Sequence, residues 1–476
     1  MSQTLKAVRG TRDLLPPETA LWNRIEATAR AVFARYNFGE IRTPVFEDTA
    51  LFARGVGEET DIVSKEMYTW EDRDRLRVDD AQKPAINRAA GFVSFKNDSK
   101  ATELGIEVTD QSYFLARSLT LRPENTAGVV RAYIEHGLGE SGQLQKLYYI
   151  GPQFRRERPQ KGRYRQFAQI GAEVIGPPSS GSESPLRDAE VLEMLATLLD
   201  ELGITGWTLH LNSVGSAADR ARYDIALRAA LVPVVGQMCA DCQRRAVTNP
   251  LRVLDCKVPA DQPIIETLPV IADSLDEESK KHFAAVTAAL DAAGVPYTLN
   301  HRLVRGLDYY TRTTFEFTHG GLGAQNALLG GGRYDGLSEA LGGPRAPGIG
   351  FAMGEDRLVL TLLAQLDQKA VPPQADAFIA PLCDAKDEAK LARINAAALV
   401  LARELRHKGL WIELGDGGFR LKKSFEAAEK TARRIVILGE DELQSGILTV
   451  KTFSTGIQTK VPRAELAAFL SEPASE

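Results

Sequence analysis

The chain has 476 residues, of which 44% are hydrophobic and 25% are charged, and its formal net charge is −5. This length predicts roughly three folding units, and the composition is that of a globular protein. The small net charge excludes binding of nucleic acid by bulk charge alone, but it does not exclude a local basic surface. The opening residues lack an apolar signal region, no stretch resembles a membrane span, and only four cysteines occur, which together favour the cytoplasm.

The first predicted element is a long amphipathic helix over 17–36, in which apolar residues recur at helical spacing. A turn at 37–39 ends this helix, and the sequence EIRTPVF at 40–46 predicts a strand. Pro44 cannot donate a hydrogen bond within a sheet, so the strand should lie at an edge or a bulge. Because an edge strand beside a long helix often pairs across a subunit boundary, we expect a homodimer.

Between 71 and 117 the chain turns polar, and we predict a surface insertion there. A turn into a helix is predicted over 119–134. Strands are predicted over 146–150 and 166–175, joined as a hairpin by the basic loop ERPQKGRYR. The stretch GPPSSGSESP that follows the second strand has the composition of a flexible connection.

The rest of the chain divides into three parts by its pattern. Residues 212–300 have a mostly helical pattern, and a strand rich in β-branched and aromatic residues is predicted from Tyr309 onward. Beyond Pro372 and Pro373, the strands DAFIAPL, WIEL and RIVILG alternate with two helices, which predicts a small α/β domain with a largely parallel sheet. The final SEPASE is predicted to be a frayed tail.

Three cysteines, Cys239, Cys242 and Cys256, lie close together in the sequence CADCQRRAVTNPLRVLDCK. Their Cys-x-x-Cys spacing raises the question of a zinc site, which requires four ligands. Neither the remote Cys383 nor a nearby histidine supplies a fourth ligand. Small buried thiols are therefore the favoured interpretation, and no metal ligand is assigned.

Two glycine-rich segments, HGGLGAQNALLGGGRYDGL and PGIGFAMGEDRL, invite a comparison with nucleotide-binding loops. Neither is followed by the Gly-Lys-Ser/Thr of a P-loop, and GIGFAMG misses the dinucleotide-binding spacing by one residue. Tight turns and close packing of strands explain these glycines better than a phosphate cradle does.

Three arginines give a sharper signal, because each stands at the end of an apolar element. Arg155 follows a predicted strand, Arg305 precedes one, and Arg357 follows GFAMG. An arginine in such a place is unusual unless an anion meets it, since burial of an unpaired charge is costly. Three such arginines on separate elements could bind a triphosphate.

Acidic and amide side chains also occur in apolar surroundings, namely Glu124 in LRPENTAG and Gln169 and Glu173 in QIGAEVIG. Gln169 and Glu173 are four residues apart, so they lie on the same face of a strand, with Gly171 between them leaving room. One amide and one carboxylate on a shared face can bind an amine or a ring N–H. The alternative is a network of salt bridges among these groups and the arginines, and spacing alone does not separate the two.

Several ordered segments resemble the motifs of one enzyme family. FGEIRTPVFE, YYIGPQFRRERPQKGRYRQFAQIGAEVIG and GFAMGEDRL are similar to motifs 1, 2 and 3 of class II aminoacyl-tRNA synthetases. LVRGLDYYTRTTFEF and GGGRYDGL resemble the two signatures of the histidyl-tRNA synthetase family, and LTLRPENTAG, SKEMYTWEDR and NPLRVLDCK match the same family. A class I synthetase would show Rossmann-type nucleotide signatures, and none is found.

The resemblance implies an α+β fold with an antiparallel sheet flanked by helices, an inserted helical domain and a C-terminal α/β domain that binds the anticodon. The implied boundaries are 1–211 and 301–371 for the catalytic domain, 212–300 for the insertion and 372–476 for the last domain. The implied reaction has two steps: histidine and ATP give histidyl-adenylate and pyrophosphate, and tRNA(His) then accepts the histidyl group.

The resemblance also assigns roles toward ATP. Arg305 and Arg155 are the implied catalytic residues, since Arg305 reaches the α-phosphate and the substrate carboxylate while Arg155 shares the α-phosphate. Arg357 holds the outer phosphates, and Glu157 is a further ATP-binding residue. Mg²⁺ is expected to accompany ATP by bridging its phosphates, without a protein cage.

For histidine, the resemblance implies that Tyr310 and Glu173 contact the two imidazole nitrogens. Glu124, Thr126 and Gln169 receive the α-amino group. A polar pocket of this kind rejects an apolar mimic by roughly four to five orders of magnitude, so no editing domain is required.

Further implied residues are Tyr309 and Arg305 in the histidine pocket, with Gln160 and Arg165 at the acceptor end of the tRNA. The chain departs from the family pattern at Asn125, where glycine is usual, and at Asp356, where glutamate is common. The polar insertion is a lid or an idle surface loop, and the sequence leaves that choice open.

Two other functions compete with this interpretation. One is the synthetase-like regulatory subunit of ATP phosphoribosyltransferase, which senses histidine on the same fold but typically lacks the C-terminal domain and parts of the RGLDYY and motif 2 signatures. This chain keeps both features. The other is a structural or RNA-chaperone role, which would leave the histidine pocket without a purpose.

Overall fold

The computed structural model describes residues 5–57, 60, 62–76, 106–109, 112–159, 162–304, 307, 309–322, 326–366, 374–384 and 386–472. By its internal contacts the chain forms two compact units. The first comprises Met1–Asp13 and Leu21–Gln368, and the second comprises Leu14–Ala20 and Lys369–Glu476.

Two antiparallel sheets form the framework of the first unit. Its described strands, in chain order, are β1 (Gly39–Glu40), β2 (Phe46–Asp48), β3 (Tyr68–Leu76), β4 (Ile106–Thr109), β5 (Ser112–Leu121), β6 (Gln145–Phe154), β7 (Gln166–Ile175), β8 (Trp207–Ser213), β9 (Thr298–Leu299), β10 (Thr311–His319), β11 (Ala327–Arg333) and β12 (Gly348–Gly354). The larger sheet has the order β1-β6-β7-β12-β11-β10-β8-β9, and the smaller has β2-β5-β3 with β4 paired to β5.

The larger sheet is antiparallel from β6 to β8, and only its two-residue edge strands, β1 and β9, pair in parallel. This confirms the predicted antiparallel sheet. It also confirms the hairpin of the predicted strands at 146–150 and 166–175, which the structure extends to Gln145–Phe154 and Gln166–Ile175.

Helices flank the sheet in the first unit, as predicted for this fold. They are Glu18–Arg35 (from Leu21 onward), Thr49–Val56, Thr126–Glu135, Pro185–Leu202, Ala217–Leu231, Ala240–Thr248, Gln262–Thr267, Glu277–Ala293, Leu337–Ala340 and Glu355–Leu366. The first confirms the amphipathic helix predicted at 17–36. Its apolar face is buried, and Phe33 packs its ring 4.9 Å from Tyr148 and 6.2 Å from Phe351 between ring centroids. The side chains of this face thereby cover the strands that carry Tyr148 and Phe351.

The predicted strand at 40–46 is wrong in its extent. The structure has two short strands, Gly39–Glu40 and Phe46–Asp48, on different sheets. The segment with Pro44 passes between them outside both strands, with single backbone hydrogen bonds at Ile41 and Val45. A proline removes one ladder hydrogen bond, which favours a break in the strand at this place.

Two other local predictions also need correction. The polar segment predicted as a surface insertion at 71–117 contributes paired strands at both ends, Tyr68–Leu76 and Ile106–Thr109 with Ser112–Leu121, while residues 77–105 lie outside the described residues. The connection GPPSSGSESP is ordered, since Ser182 is fully buried and Ser180 Oγ donates to the Pro177 carbonyl at 2.6 Å. Its composition is typical of linkers, but these local hydrogen bonds stabilise a compact turn.

The strand predicted from Tyr309 onward begins at Thr311 and contains an irregularity. Its register shifts between Thr311 and Thr314, and Arg312 there has a φ of 49°, in the left-handed region. The regular alternation of side chains along a strand is therefore interrupted at this place. The Arg312 guanidinium donates to Glu278 at 2.7 Å and does not line the cavity described below.

Residues 212–300 are mostly helical, as predicted. Their described helices belong to the same compact unit as the sheet, and the last of them, Glu277–Ala293, packs beside Pro185–Leu202. The division of the first unit into a catalytic domain and an inserted domain remains a prediction.

The second unit contains the strands β13 (Ala377–Pro381), β14 (Ile412–Leu414), β15 (Arg434–Leu438), β16 (Ile447–Thr452) and β17 (Gln458–Pro462) in the order β14-β13-β15-β16-β17. Its helices are Glu388–His407, Leu421–Thr431, Glu440–Ser445 and Leu466–Ser471. The strands β14, β13 and β15 are parallel, which confirms the predicted α/β arrangement, whereas β16 and β17 add an antiparallel hairpin that was not predicted. The end of the predicted tail, 473–476, lies outside the described residues.

In the ranges of the chain that the structure describes, no helix is both long enough and apolar enough to cross a membrane.

A buried ion pair joins the larger sheet to its helices. Arg333, at the end of β11, and Asp188, in the helix Pro185–Leu202, are both fully buried and approach to 2.9 Å. His282, from the helix Glu277–Ala293, lies 2.9 Å from the other Asp188 oxygen. Burial raises the pKa of Asp188, but the Arg333 charge and the His282 hydrogen bond outweigh burial and hold this pKa below its ordinary value.

We expect Asp188→Asn to lower the free energy of unfolding by about 3 kcal/mol, because it removes the fully buried one of the two carboxylates that pair with the buried Arg333 charge and leaves only Asp335. Urea titration followed by circular dichroism measures the change. The matched control is Asp224→Asn, which removes a half-exposed Arg228–Asp224 pair and should cost no more than about 1 kcal/mol. Equal losses in the two variants would contradict this role of Asp188.

Candidate active site

A cavity of about 220 Å³ opens among β7, β11, β12 and the loop that follows β6. Eight of the residues predicted from the sequence line it together: Glu124, Thr126, Arg155, Glu157, Gln169, Tyr309, Tyr310 and Arg357. The antiparallel sheet thus brings together side chains that are far apart in the chain.

Four predicted residues are not among those that line the cavity in the described structure. Arg305 and Gln160 lie outside the described residues. Glu173 is fully buried behind the cavity wall. Arg165 turns away, because its guanidinium donates to the Arg9 carbonyl at 3.2 Å.

Arginines concentrate at one end of the cavity. Arg155 donates to the Pro123 carbonyl at 2.9 Å and lies 5.3 Å from the centroid of the Phe167 ring. Glu157 is placed between two arginines, with Arg163 at 3.1 Å and Arg155 at 3.7 Å. One carboxylate between two arginines leaves an excess of positive charge, which suits an anionic ligand.

Arg357 adds to the charge at the same end. It lies in the first turn of the helix Glu355–Leu366 and donates to the Ala327 carbonyl. Burial lowers the pKa of Arg357, and the nearby Arg163 lowers it further. A negatively charged phosphate group bound here would counteract the burial and the repulsion from Arg163, and so stabilise the charged form of Arg357.

The other end of the cavity is formed by buried carboxyl groups. Glu124 accepts hydrogen bonds from the backbone N–H groups of Thr126 at 2.8 Å and Ala127 at 3.0 Å, at the start of the helix Thr126–Glu135. Burial raises the pKa of Glu124, although these N–H groups act in the opposite direction. An ammonium group of a ligand would stabilise the ionised carboxylate.

Glu173 is connected to this end of the cavity by a hydrogen bond from Thr126, which lines the cavity. The Thr126 hydroxyl donates to one carboxyl oxygen of Glu173 and the Tyr334 hydroxyl to the other, each at 2.7 Å. Burial raises the pKa of Glu173 to about 8 against these hydrogen bonds. Gly350 is opposite in the neighbouring strand, and a Cβ atom there would lie 1.7 Å from the Glu173 carboxyl oxygen, so glycine is required.

The amide oxygen of Gln169 is a buried acceptor without a hydrogen-bond partner among the described residues. The side chain is 9% exposed and lines the cavity. Buried acceptors are nearly always paired, so this oxygen indicates a place for a donor from a ligand.

Aromatic rings complete the wall at the carboxyl end. The rings of Tyr309 and Tyr310 are 4.7 Å apart between centroids, and Tyr309 meets Tyr334 edge to face at 6.0 Å. Gly332 leaves room for them, since a Cβ atom there would lie 2.8 Å from the Tyr310 ring. This supports the interpretation of the GGG sequence as close strand packing.

The two departures from the family pattern occupy different surroundings. Asn125 is buried outside the cavity, where its side-chain oxygen accepts from Thr43 Oγ1 at 2.6 Å. Asp356 lines the cavity and accepts from Arg12 at 2.8 Å. Arg12 in turn lies 4.8 Å from the ring centroid of Tyr164.

Sequence reasoning missed several residues of the site. The cavity is also lined by Arg163, Tyr164, Phe167 and Asp356. Arg163 and Tyr164 belong to the basic hairpin loop, so their nearness to Arg155 in the chain was a usable signal. Phe167 was also recognisable as an aromatic two residues from Gln169 on one strand, which places both on the same face.

An antiparallel sheet with an arginine-lined cavity is the architecture expected of a class II aminoacyl-tRNA synthetase. A family model described as "Histidyl-tRNA synthetase" matches residues 84–358, and a model described as "Anticodon binding domain" matches residues 376–473. The chain belongs to the histidyl-tRNA synthetase family.

Individual relatives agree with this assignment. The chain is 65% identical to a histidine–tRNA ligase of Koribacter versatilis, over 98% of this chain and 96% of that protein. It is 52% identical to a histidine–tRNA ligase of Solibacter usitatus, over 98% and 99%. The crystal structure of apo histidyl-tRNA synthetase of S. aureus is similar with a TM-score of 0.72 at 35% identity, covering 98% of this chain and 100% of that one.

We expect the unliganded protein to lose stability as the pH rises from about 5 to about 8. Glu173 and Glu355 have pKa values raised from 4.5 to about 8 in the folded chain, so over this range the folded state binds more protons than the unfolded state. Glu173→Gln should therefore give a shallower decline. Melting temperatures measured across this pH range, without substrates, test the difference.

The exposed Glu339→Gln is the control for the removal of one carboxyl group. Profiles of wild type and Glu173→Gln that run parallel from acid to alkaline pH would be incompatible with a buried, protonated Glu173.

Proposed function

We propose that the chain ligates histidine to the 3′ end of tRNA(His) through a histidyl-adenylate intermediate. One observation carries the proposal beyond family membership: a single cavity has an arginine-rich end and an end of buried carboxyl groups with an orphaned amide oxygen. Two ends of opposite character suit a triphosphate and the ammonium group of an amino acid.

ATP occupies the arginine-rich end in this proposal. Arg155 and Arg357 bind the phosphates, with Arg163 as a third cation. The Phe167 ring offers an apolar face for the adenine base, since aromatic rings and bases stack favourably. Arg305 belongs to the same group of cations by its resemblance to the family signature.

Histidine occupies the carboxyl end. Its ammonium group is received by the Glu124 carboxylate and the orphaned Gln169 oxygen, beside Thr126. Its imidazole ring lies toward Tyr310 and Glu173. Such a pocket discriminates strongly between histidine and an amino acid with an apolar side chain, because the apolar side chain would leave these buried groups unpaired.

Tyr309 closes the pocket beside Tyr310 and so completes the proposed histidine-binding set. With the histidine carboxylate directed toward the arginines, its oxygen attacks the α-phosphorus and the bond to pyrophosphate breaks. Arg155 and Arg305 stabilise the negative charge that develops on the phosphate oxygens, which is electrostatic catalysis. In the second step the terminal ribose hydroxyl of the tRNA attacks the histidyl carbonyl, and AMP leaves.

Mg²⁺ accompanies ATP in this proposal. Two described acidic side chains line the arginine-rich end, and Glu157 is paired with Arg163 and Asp356 with Arg12, so these two carboxylates form no ready-made cage. The ion is therefore held mainly by the phosphates, whose charge it neutralises.

The tRNA is proposed to reach both units. By resemblance to the family, Gln160 and Arg165 of the hairpin loop would meet the acceptor end. The second unit, which matches the anticodon-binding model, carries Lys422 and Lys423 on the helix Leu421–Thr431 as candidate backbone contacts. The cytoplasm, where tRNA is charged, is the proposed compartment.

A homodimer is proposed from the exposed apolar surface around motif 1. Val45, Phe46 and Trp70 have relative exposures of 39%, 53% and 40%, and the Phe46 and Trp70 rings lie 6.1 Å apart between centroids. Adjacent exposed aromatic groups, here on the two strands that flank β5 in the smaller sheet, are typical of an interface.

Histidine-dependent exchange of pyrophosphate into ATP, with Mg²⁺ and without tRNA, tests the first step. We expect exchange by the wild type and a loss of at least about a hundredfold for Arg155→Ala and Arg305→Ala, because each removes a cation from the reacting phosphate. The matched control is Arg158→Ala, an exposed arginine of the same loop, which should retain exchange within a few-fold.

Exchange by Arg305→Ala close to the wild-type rate would show that the role assigned to Arg305 is wrong. Histidine binding without any exchange in the wild type would instead favour the regulatory-subunit alternative.

Light scattering at micromolar concentration should give twice the chain mass of 52.0 kDa for the wild type. Phe46→Asp should shift the protein toward the monomer, because it introduces a charge into the proposed apolar interface. Trp411→Asp, at an aromatic side chain that is 61% exposed in the second unit, is the control and should leave the dimer intact. A monomeric wild type would refute the proposed dimer.

A further inference from the structure

A cluster of three thiols and a carboxylate lies away from the cavity, in the helical segment between β8 and β9. The sulfur atoms of Cys239, Cys242 and Cys256 and a carboxylate oxygen of Asp261 all lie within 4.8 Å of one another. Asp261 is the group that a search among cysteines and histidines in the sequence could not find. It joins the cluster because the chain turns back through two short 3₁₀ helices, Pro250–Val253 and Pro259–Asp261.

The distances between these atoms are close to the edges of a zinc tetrahedron. The sulfur atoms of Cys239 and Cys256 are 3.9 Å apart, and the Cys256 sulfur is 3.2 Å from an Asp261 oxygen. With Zn–S and Zn–O bonds of about 2.3 and 2.0 Å, the tetrahedral edges are about 3.8 Å between sulfurs and about 3.5 Å between sulfur and oxygen. The ligands need only small shifts to meet this geometry.

Asp261 provides an independent argument for a cation. It is 1% exposed, and its partners in the described part of the chain are the Cys239 backbone N–H at 3.0 Å and the cysteine thiols, with no lysine or arginine. A buried carboxylate normally has a charged partner or a metal. A divalent cation among the four groups would supply that partner.

The surroundings are also those of a structural metal site. The cluster borders an apolar core that includes Met238, Val253 and Ile265. The Cys239 N–H donates to Asp261, and the Val258 N–H approaches the Cys256 sulfur at 3.4 Å, so backbone groups orient two of the ligands. Four protein ligands leave no position for a substrate, unlike a catalytic site.

We propose that Cys239, Cys242, Cys256 and Asp261 bind one Zn²⁺ ion that stabilises the helical segment. The cysteines bind as thiolates and release their protons to solvent on binding. The competing state has no metal. In that state burial raises the pKa values of the Cys242 and Cys256 thiols, which stay neutral, and the Cys256 thiol donates to Asp261.

The metal would also fix the position of the segment between Cys242 and Cys256, which lies near Tyr310. The chain between Cys242 and Cys256 contains Asn249, Leu251 and Arg252, which line a small space of about 30 Å³ together with Tyr310. A fixed loop there limits the positions that the Tyr310 ring can adopt. The helical segment would in this way support the histidine end of the cavity without touching the substrate.

The metal content of the full-length chain tests the proposal directly. The protein is produced without a histidine tag, purified under reducing conditions and analysed by plasma mass spectrometry. We expect one zinc per chain in the wild type and in Cys383→Ser, which removes the cysteine outside the cluster. Cys242→Ser and Asp261→Ala should lose most of the metal, since each removes a ligand.

Cobalt provides a second measurement that does not depend on the variants folding well. Titration of metal-free wild-type protein with Co²⁺ should give the visible bands of tetrahedral cobalt together with thiolate-to-cobalt charge transfer, saturating at one equivalent. Zinc should displace the cobalt and bleach the bands.

Three results would overturn the proposal. The first is wild-type protein that contains no stoichiometric zinc and gives no tetrahedral cobalt spectrum. The second is a disulfide between Cys239 and Cys256 in the freshly purified protein under reducing conditions. The third is Asp261→Ala that keeps zinc as tightly as the wild type, which would remove Asp261 from the site.

Discussion

Glu173 is a buried carboxyl group, and the strands and the helix around it must provide hydrogen-bond donors and space for it. Hydroxyl groups of Thr126 and Tyr334 donate to its two oxygens, and Gly350 leaves the space that the carboxyl group fills. Thr126 begins a helix whose first N–H groups also hold Glu124. Without these donors, a carboxyl group at the centre of an antiparallel sheet would be costly to bury. The polar pocket and the packing of the sheet are therefore parts of one arrangement.

The two ends of the cavity are carried by different kinds of structure. Arg155 and Arg163 stand on the hairpin loop, and Arg357 on the first turn of a helix. The carboxyl end is built on the interior of β7 and the start of a buried helix, where backbone positions are held by the ladder on both sides. A phosphate chain has several equivalent oxygens and tolerates some movement of its ligands, whereas an imidazole ring requires fixed partners. The division of the site fits the needs of the two ligands proposed for it.

Local pattern was enough to predict the elements with strong periodicity. The helix at Glu18–Arg35, the strand at Gln166–Ile175 and the alternation in the second unit follow from it. Local pattern could not predict contacts between residues that are far apart in the chain. Asp188 meets Arg333 across a long stretch of chain, and Asp261 meets the cysteines through a turn that no spacing rule covers. The bulge at Arg312 was missed for a related reason, since residue alternation assumes a regular register.

The same division of the cavity bears on how proteins of this fold can diverge. Arg155, Arg163 and Arg357 can be lost by changes in a loop and one helix turn, while Glu173, Gly350 and Tyr334 are tied to the packing of the sheet. If the two ends have the roles proposed above, duplicated copies of such a gene can lose nucleotide chemistry early and still keep the amino-acid pocket, because the residues of that pocket are also needed for folding. The fold is in this sense predisposed to give rise to amino-acid sensors that no longer catalyse a reaction.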